Sequence, residues 1–338
     1  MATQPMNWAG NYGYRARDVR YPASVGELAE MVAGEPWVRA LGTRHSFSAI
    51  ADSPGVLVSL AGIPPEITVD SGALTVGVTG GTRYGVLAQA LQEKGFALHN
   101  MGSLPHISVA GGTATGTHGS GDGNGILATA ICSMELVAAD GSLIVIDRGN
   151  PDLAALAVGL GAFGVIARLT LDIEPTYLVR QDVYFQAPWD TVIGQLDEIM
   201  ASAYSVSLMG DFAAPTVQQL WQKSRVDDGA PTVELPRSAF GGTWYDDANE
   251  ITKTSLNVRG GVPGPWSDRL PHFRLDSAPS VGGDELQTEY FVDRRYAADA
   301  LRVLRGMGSG SPRTCTPRRF APWQRTKSGS ARPSNATA

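Results

Sequence analysis

From Gly111 to Gly125 the chain reads Gly-Gly-Thr-Ala-Thr-Gly-Thr-His-Gly-Ser-Gly-Asp-Gly-Asn-Gly, fifteen positions in which His118 is the one bulky side chain. Glycine carries no Cβ, so backbone N–H groups here can approach a ligand closely. Successive exposed amides in Gly-rich turns form anion-binding nests, and Ser/Thr hydroxyls add donors. A diphosphate is a natural guest. A flexible surface loop of the same composition is the competing reading.

The flanking segments decide the fold class. Ser24 precedes a run with apolar residues at helical spacing, and Glu27 stands where a capping-box partner belongs, so a short helix follows Tyr21. Short β-type runs at 37–41, 55–60, 66–69 and 73–78 are divided by Gly, Pro and Asp turns. Helical period returns over 83–94, with Gly95 suited to the C-terminal cap. Strands are predicted again at 130–138, 143–146 and 165–173, around a short helix at 151–158. Several strands follow one another directly, which predicts an α+β fold and not a doubly wound parallel sheet.

After Glu174-Pro175 the Gly runs thin out. Helical spacing spans 189–204, strand-like stretches occur at 206–212, 218–222 and 286–292, and a helix is predicted at 294–304. A domain boundary is expected near residue 176. Gly159-Leu-Gly-Ala-Phe-Gly164 fits the GxGxxG fingerprint, but a helix precedes it and a strand follows, the reverse of the nucleotide-binding order. These glycines are expected to stop the helix and turn the chain.

With 338 residues and 43% hydrophobic content, the chain has material for one large domain or two ordinary ones. Its longest apolar runs fall well short of the roughly 20 residues of a membrane span. All 33 acidic residues and 19 of the 27 basic ones lie in 1–299, which therefore carries −14, while 300–338 carries +8. An acidic body argues against nucleic acid as a partner. Cys132 and Cys315 make no disulfide framework and no zinc-ligand cluster, so no metal site is expected. Residues 1–14 lack a signal-peptide pattern, and the expected location is the cytoplasm.

Three further constellations accompany the glycine-rich segment. One is Arg39-Ala-Leu-Gly-Thr-Arg-His45-Ser-Phe-Ser48; another is Asn100-Met-Gly-Ser103-Leu-Pro-His106-Ile-Ser108; the third is Val76-Gly-Val-Thr-Gly-Gly-Thr-Arg83 together with Leu160-Gly-Ala-Phe-Gly-Val165. In this order they resemble the FAD-binding domain of the vanillyl-alcohol oxidase (p-cresol methylhydroxylase) flavoprotein family. Within it the sequence is most similar to the alditol (xylitol) oxidase branch, which is related to the sugar-1,4-lactone oxidases such as D-arabinono-1,4-lactone oxidase. The resemblance runs from Asn7-Trp-Ala-Gly-Asn11 to about Leu301, through Gly261-Val-Pro-Gly-Pro-Trp266, Leu270-Pro-His272 and Glu285-Leu-Gln-Thr-Glu-Tyr290.

The resemblance implies a two-subdomain FAD-binding domain over 1–176 and a substrate (cap) domain over 177–305, incomplete, with an antiparallel sheet and flanking helices. It implies that His45 bonds covalently to the flavin 8α-methyl. Leu41, Gly42, Thr43, Arg44, Ser46, Ser108, Gly111, Gly112, Thr113, Ala114, Gly116, Thr117 and Val165 would line the FAD, and Ser103 would lie near flavin N5 and the substrate hydroxyls as the catalytic residue. Gly102 would leave room for oxygen beside the flavin. The implied reaction is oxidation of a polyol such as xylitol or sorbitol with O2 as acceptor, giving H2O2. A sugar-1,4-lactone oxidase and a silent flavin-binding remnant are the alternatives. His99, His106, His118 and His272 are read as packing or loop-ordering residues, and Cys132 as a buried small hydrophobe.

The family's Glu-x-Arg motif, its later Lys and its returning C-terminal segment have no match here, so impaired turnover is expected. Residues 309–338 contain no Asp, Glu, Leu, Ile, Val or Met but five Arg and four Pro, a composition that builds no packed core. Residues 306–338 are therefore expected to be either a basic tail or translation in a shifted frame of a GC-rich gene.

Overall fold

The structure is a computed structural model that describes residues 5–226, 236–245, 256–278 and 286–308. Strand β1 (Asp18–Arg20), helix α1 (Val25–Ala33), β2 (Val38–Ala40) and β3 (Val56–Val58) open the chain, and the strands form a parallel sheet in the order β1-β3-β2. Ser24 caps α1, its Oγ accepting from the Glu27 N–H at 3.1 Å. Glu27 Oε2 accepts from the Ala23 N–H at 2.7 Å, one residue before the cap, so the predicted box is shifted by one. α1 presses Leu28 and Val32 onto Val56, Val58 and Val165. Each such side chain contributes about 1.5–3 kcal/mol on full burial.

Next come β4 (Ile67–Asp70), β5 (Thr75–Thr79), α2 (Tyr84–Glu93), β6 (Phe96–Ala97), α3 (Val109–Ala114), β7 (Ile131–Val137), β8 (Leu143–Asp147), α4 (Leu153–Ala157) and β9 (Val165–Asp172). The long strands pair antiparallel in the order β4-β5-β9-β7-β8, bearing out the α+β expectation. Leu87, Ala88 and Leu91 of α2 belong to the same core as Val76, Val78, Leu169 and Leu171 of the sheet. The GxGxxG run is a turn between α4 and β9, with Leu160, Gly161 and Gly164 at positive φ.

Two expectations need correction in this half. The glycine-rich segment begins as helix: Gly111 and Gly112 lie inside α3, where small residues let the turn sit close against its neighbours. Cys132 is half-buried, not buried. Its thiol donates to Asp172 Oδ1 at 3.2 Å and accepts from Arg148 at 3.1 Å, because it opens β7 on a polar side of the sheet.

The rest of the chain comprises β10 (Glu174–Pro175), β11 (Leu178–Pro188), α5 (Trp189–Gly194), α6 (Leu196–Ala201), β12 (Ser205–Met209), β13 (Thr216–Val226), β14 (Ser238–Ala239), β15 (Gly242–Trp244), β16 (Gly264–Pro265), α7 (Trp266–Arg269) and α8 (Ala297–Gly308). Six of these strands form an antiparallel sheet in the order β12-β13-β11-β15-β14, with β16 also on β11. Tyr184, Val206, Leu208 and Leu220 form a core with Val192, Ile199 and Leu301 from α5, α6 and α8. The helical stretch expected over 189–204 is split at Gln195, whose φ of −116° leaves the helical range. Register sets Gln181 opposite Lys223, and Ser205 and Ser207 opposite Lys223 and Trp221, so these polar residues share one face of the sheet.

The strand expected over 286–292 is absent among the described residues. Its side chains are exposed, Tyr290 at 87%, and it pairs with no strand among the described residues; aromatic and β-branched residues yield a strand only where they pack on a sheet. The predicted helix after it forms as a 3-10 turn at Arg294–Tyr296 followed by α8. Residues 309–338, with Cys315, and Glu285 of the quoted motif lie outside the described residues. Among the described residues no helix is long and apolar enough to cross a membrane.

Candidate functional site

β2 ends at Ala40 and delivers Leu41 to Ser46 onto a loop. Leu41 donates its N–H to Val58 O at 2.8 Å and buries its side chain with Tyr14 and Leu57, so neither is turned toward a ligand. Gly42 lies against α3. A Cβ on Gly42 would stand 3.2 Å from Ser108 Oγ, and one on Gly111 would stand 2.7 Å from the same atom. On the far side of α3, a Cβ on Gly112 would meet the Tyr84 ring at 3.0 Å and Ile107 at 3.1 Å. A side chain on Gly111 would force the Ser108 hydroxyl to shift, and one on Gly42 or Gly112 would make its neighbours give by a few tenths of an ångström. Arg39 ties the constellation together, donating to Ile50 O at 2.8 Å and Leu160 O at 2.9 Å, while the Leu160 N–H donates to Ala114 O at 3.1 Å.

Arg44 has φ +66°, a left-handed backbone that β carbons disfavour, and it aims the next residue. His45 packs on the Trp8 ring at 5.1 Å between centroids, and its Nδ1 is buried with no hydrogen-bond partner among the described residues. Burial pushes the imidazole pKa down to about 4, and His106, Arg83 and Arg44 press it the same way. The ring is therefore neutral at physiological pH.

Gly102 is buried, and a Cβ there would stand 3.3 Å from Thr117 Cγ2. The neighbouring Ser103 is gripped from across the chain: its carbonyl accepts from the His272 N–H at 3.0 Å and the Phe273 N–H at 3.1 Å. That loop is itself held by the buried amine of Lys223, which donates to Leu270 O and, at 3.1 Å, to Pro271 O. Asn257 adds a bond to Pro271 O at 2.8 Å.

The structure thus brings together Gly42, Ser108, Gly111 and Ala114, and separately Gly102 and Thr117. Gly116, at φ +68°, turns the chain between them. It does not turn every expected side chain toward a common space. The Thr113 hydroxyl donates to Val109 O and Ala110 O within α3, and Val165 packs in the core beneath α1. Thr43 and Ser46 lie on the His45 loop at intermediate exposure. His106 Nε2 meets Leu275 O at 3.1 Å, His118 Nδ1 meets Gly119 O at 2.7 Å, and His272 packs edge-on against Trp221. Trp8, Arg83 and Lys223 carry no motif of their own in the sequence. Their contacts join distant segments, and no local pattern announces them.

These residues fit FAD: Gly42, Gly111 and Gly112 pack too tightly against Ser108, Tyr84 and Ile107 to carry side chains freely, which leaves backbone as the face a diphosphate would meet, and His45 Nδ1 is buried with no hydrogen-bond partner among the described residues. The FAD binding domain family matches residues 18–147. The alditol oxidase of a Streptomyces species is 42% identical over 328 residues, spanning 95% of this chain and 78% of that protein. An L-gulono-1,4-lactone dehydrogenase of Mycobacterium tuberculosis is 36% identical over 180 residues, 52% of this chain and 42% of that one. A solved cholesterol oxidase of Brevibacterium sterolicum shares the fold at 15% identity with a TM-score of 0.59, over 68% of this chain and 48% of its own. With that extent of identity to the Streptomyces enzyme, and with an FAD-binding domain in place, the chain belongs to the alditol oxidase family of FAD-dependent oxidoreductases.

Proposed function

We propose that this protein oxidises a carbinol carbon of a small polyol such as xylitol or sorbitol, with dioxygen as the final acceptor. The observation that carries the reading is the arrangement at Gly102–Ser103, a space-saving glycine next to a serine whose backbone is held by the His272 and Phe273 amides. When bound, FAD supplies the hydride acceptor and passes the electrons to O2, giving H2O2. Residues 41–46, Gly102, Ser108, 111–114, 116, 117 and Val165 hold it, several of them through backbone alone, and His45 attaches to it covalently.

Ser103 is the residue we assign to the substrate. Its hydroxyl orients the reacting alcohol, and the fixed backbone keeps that orientation; a displacement of about 1 Å at such a position costs on the order of a hundredfold in rate. Gly102 keeps the neighbouring space open to oxygen. We place the cofactor domain at 1–176 and the substrate domain at 177–305, and read the protein as cytoplasmic.

The test is anaerobic addition of xylitol or sorbitol to the flavin-loaded protein. Bleaching of the yellow flavin reports a single oxidation event, however slow turnover is. Polyols should bleach it and sugar-1,4-lactones should not; bleaching by lactones alone would reassign the substrate, and bleaching by neither would leave a flavin-binding protein.

A further inference from the structure

The segment just before β1 makes a set of contacts that the cofactor reading does not use. The Trp8 N–H donates to Arg44 O at 2.8 Å, Asn7 Nδ2 to Ser46 O at 3.0 Å and Asn11 Nδ2 to Phe47 O at 3.1 Å. Carbonyls on both sides of His45 are thereby held by one short stretch of chain. Arg44 answers with a bond from Nη1 to Met6 O at 3.4 Å. Asn7 is buried and fixed on its other side, its Nδ2 donating also to Asn11 Oδ1 at 2.7 Å and its Oδ1 accepting from the Tyr12 N–H at 3.1 Å. Trp8 then covers the imidazole with its ring, tilted by 34°, and meets Phe47 edge-on at 6.5 Å.

We infer that residues 6–12 form a clamp that positions His45 for its own attachment to the flavin, with Trp8 and Asn7 as the positioning residues. The inference rests on the assignment of His45 as the attachment residue. Attachment joins an imidazole nitrogen to the flavin 8α carbon: the imidazole gives up its N–H proton, the methyl group gives up one hydrogen, and two electrons with two protons leave on dioxygen as hydrogen peroxide. Such a bond forms only if the nitrogen is aimed at the methyl carbon. The left-handed Arg44 needs its carbonyl held to keep that aim, and the Trp8 face limits how the imidazole turns.

The experiment follows the appearance of acid-stable flavin after FAD is added to protein made without it, in wild type, Trp8→Ala, Trp8→Phe and His45→Ala. Total bound flavin is read on the same samples after desalting. Trp8→Ala should bind FAD but attach it roughly ten- to a hundredfold more slowly, with Trp8→Phe restoring most of the rate. A purely structural role would change bound flavin and attached flavin together. Trp8→Leu, which keeps the bulk without the flat face, replaces the alanine variant if that one fails to hold FAD, and should attach as slowly. Attachment at the wild-type rate in Trp8→Ala or Trp8→Leu overturns the clamp, as does a phenylalanine variant no faster than alanine. Absence of acid-stable flavin in wild type defeats the assignment of His45 itself.

Discussion

Gly42 and Gly111 crowd the same hydroxyl, that of Ser108, with 3.2 and 2.7 Å between Oγ and the β carbons these glycines lack, and each missing β carbon would also stand within 4 Å of the other glycine's Cα. The contact is where the loop leaving the parallel sheet closes on α3 of the next layer. It joins the segment carrying His45 to the glycine-rich segment, so two stretches that are separate in sequence become one wall.

Gly111→Ala should therefore strain the wall rather than fill a gap. Ser108 is only 5% exposed, so its hydroxyl has little room to turn away. Overpacking of this kind costs about 1–3 kcal/mol. The substitution should lower the denaturant midpoint and weaken FAD retention, and adding Ser108→Ala should recover much of both. If Gly111→Ala unfolds and binds FAD like wild type, the two segments do not pack as described.

Lys223 and Ser103 are linked through the 270–273 loop. Lys223→Met removes the donor to Leu270 O, and a buried carbonyl left unpaired costs about 1–3 kcal/mol. The loop should also loosen its grip on the Ser103 carbonyl, slowing anaerobic flavin reduction by polyol on the order of tenfold. In a Ser103→Ala background the same lysine change should slow reduction far less. Equal slowing in both backgrounds would mean that Lys223 acts on the fold alone.

The first half of the fold was legible because its elements are short, regular and bounded by strong breakers: Ser24 does cap a helix, and the 165–173 run is a strand paired on both edges. The site was legible only as ordered motifs on loops, since a loop's shape comes from what it touches. Trp8 on His45 and Lys223 beneath 270–271 join segments far apart in sequence, where neither periodicity nor composition carries information. The 286–292 stretch misled for the related reason that β-type composition does not say whether a sheet edge is available.

The depressed pKa of His45 makes a prediction with a definite sign. An ordinary histidine titrates at about 6.5; this one, desolvated and facing His106, Arg83 and Arg44, does so at about 4. In the proposed attachment the neutral ring is the nucleophile, so the rate of flavin attachment should hold level from about pH 8 to pH 5 and fall only as pH approaches 4. The same shift couples to stability. Between about pH 6.5 and 4 the unfolded chain binds a proton at this site that the folded chain refuses, so the flavin-free protein should lose stability as pH falls through that window, and His45→Ala should remove this part of the slope. An attachment profile with its midpoint near pH 6.5 would show that the imidazole is solvated, and the buried Nδ1 would then have no part in setting its reactivity.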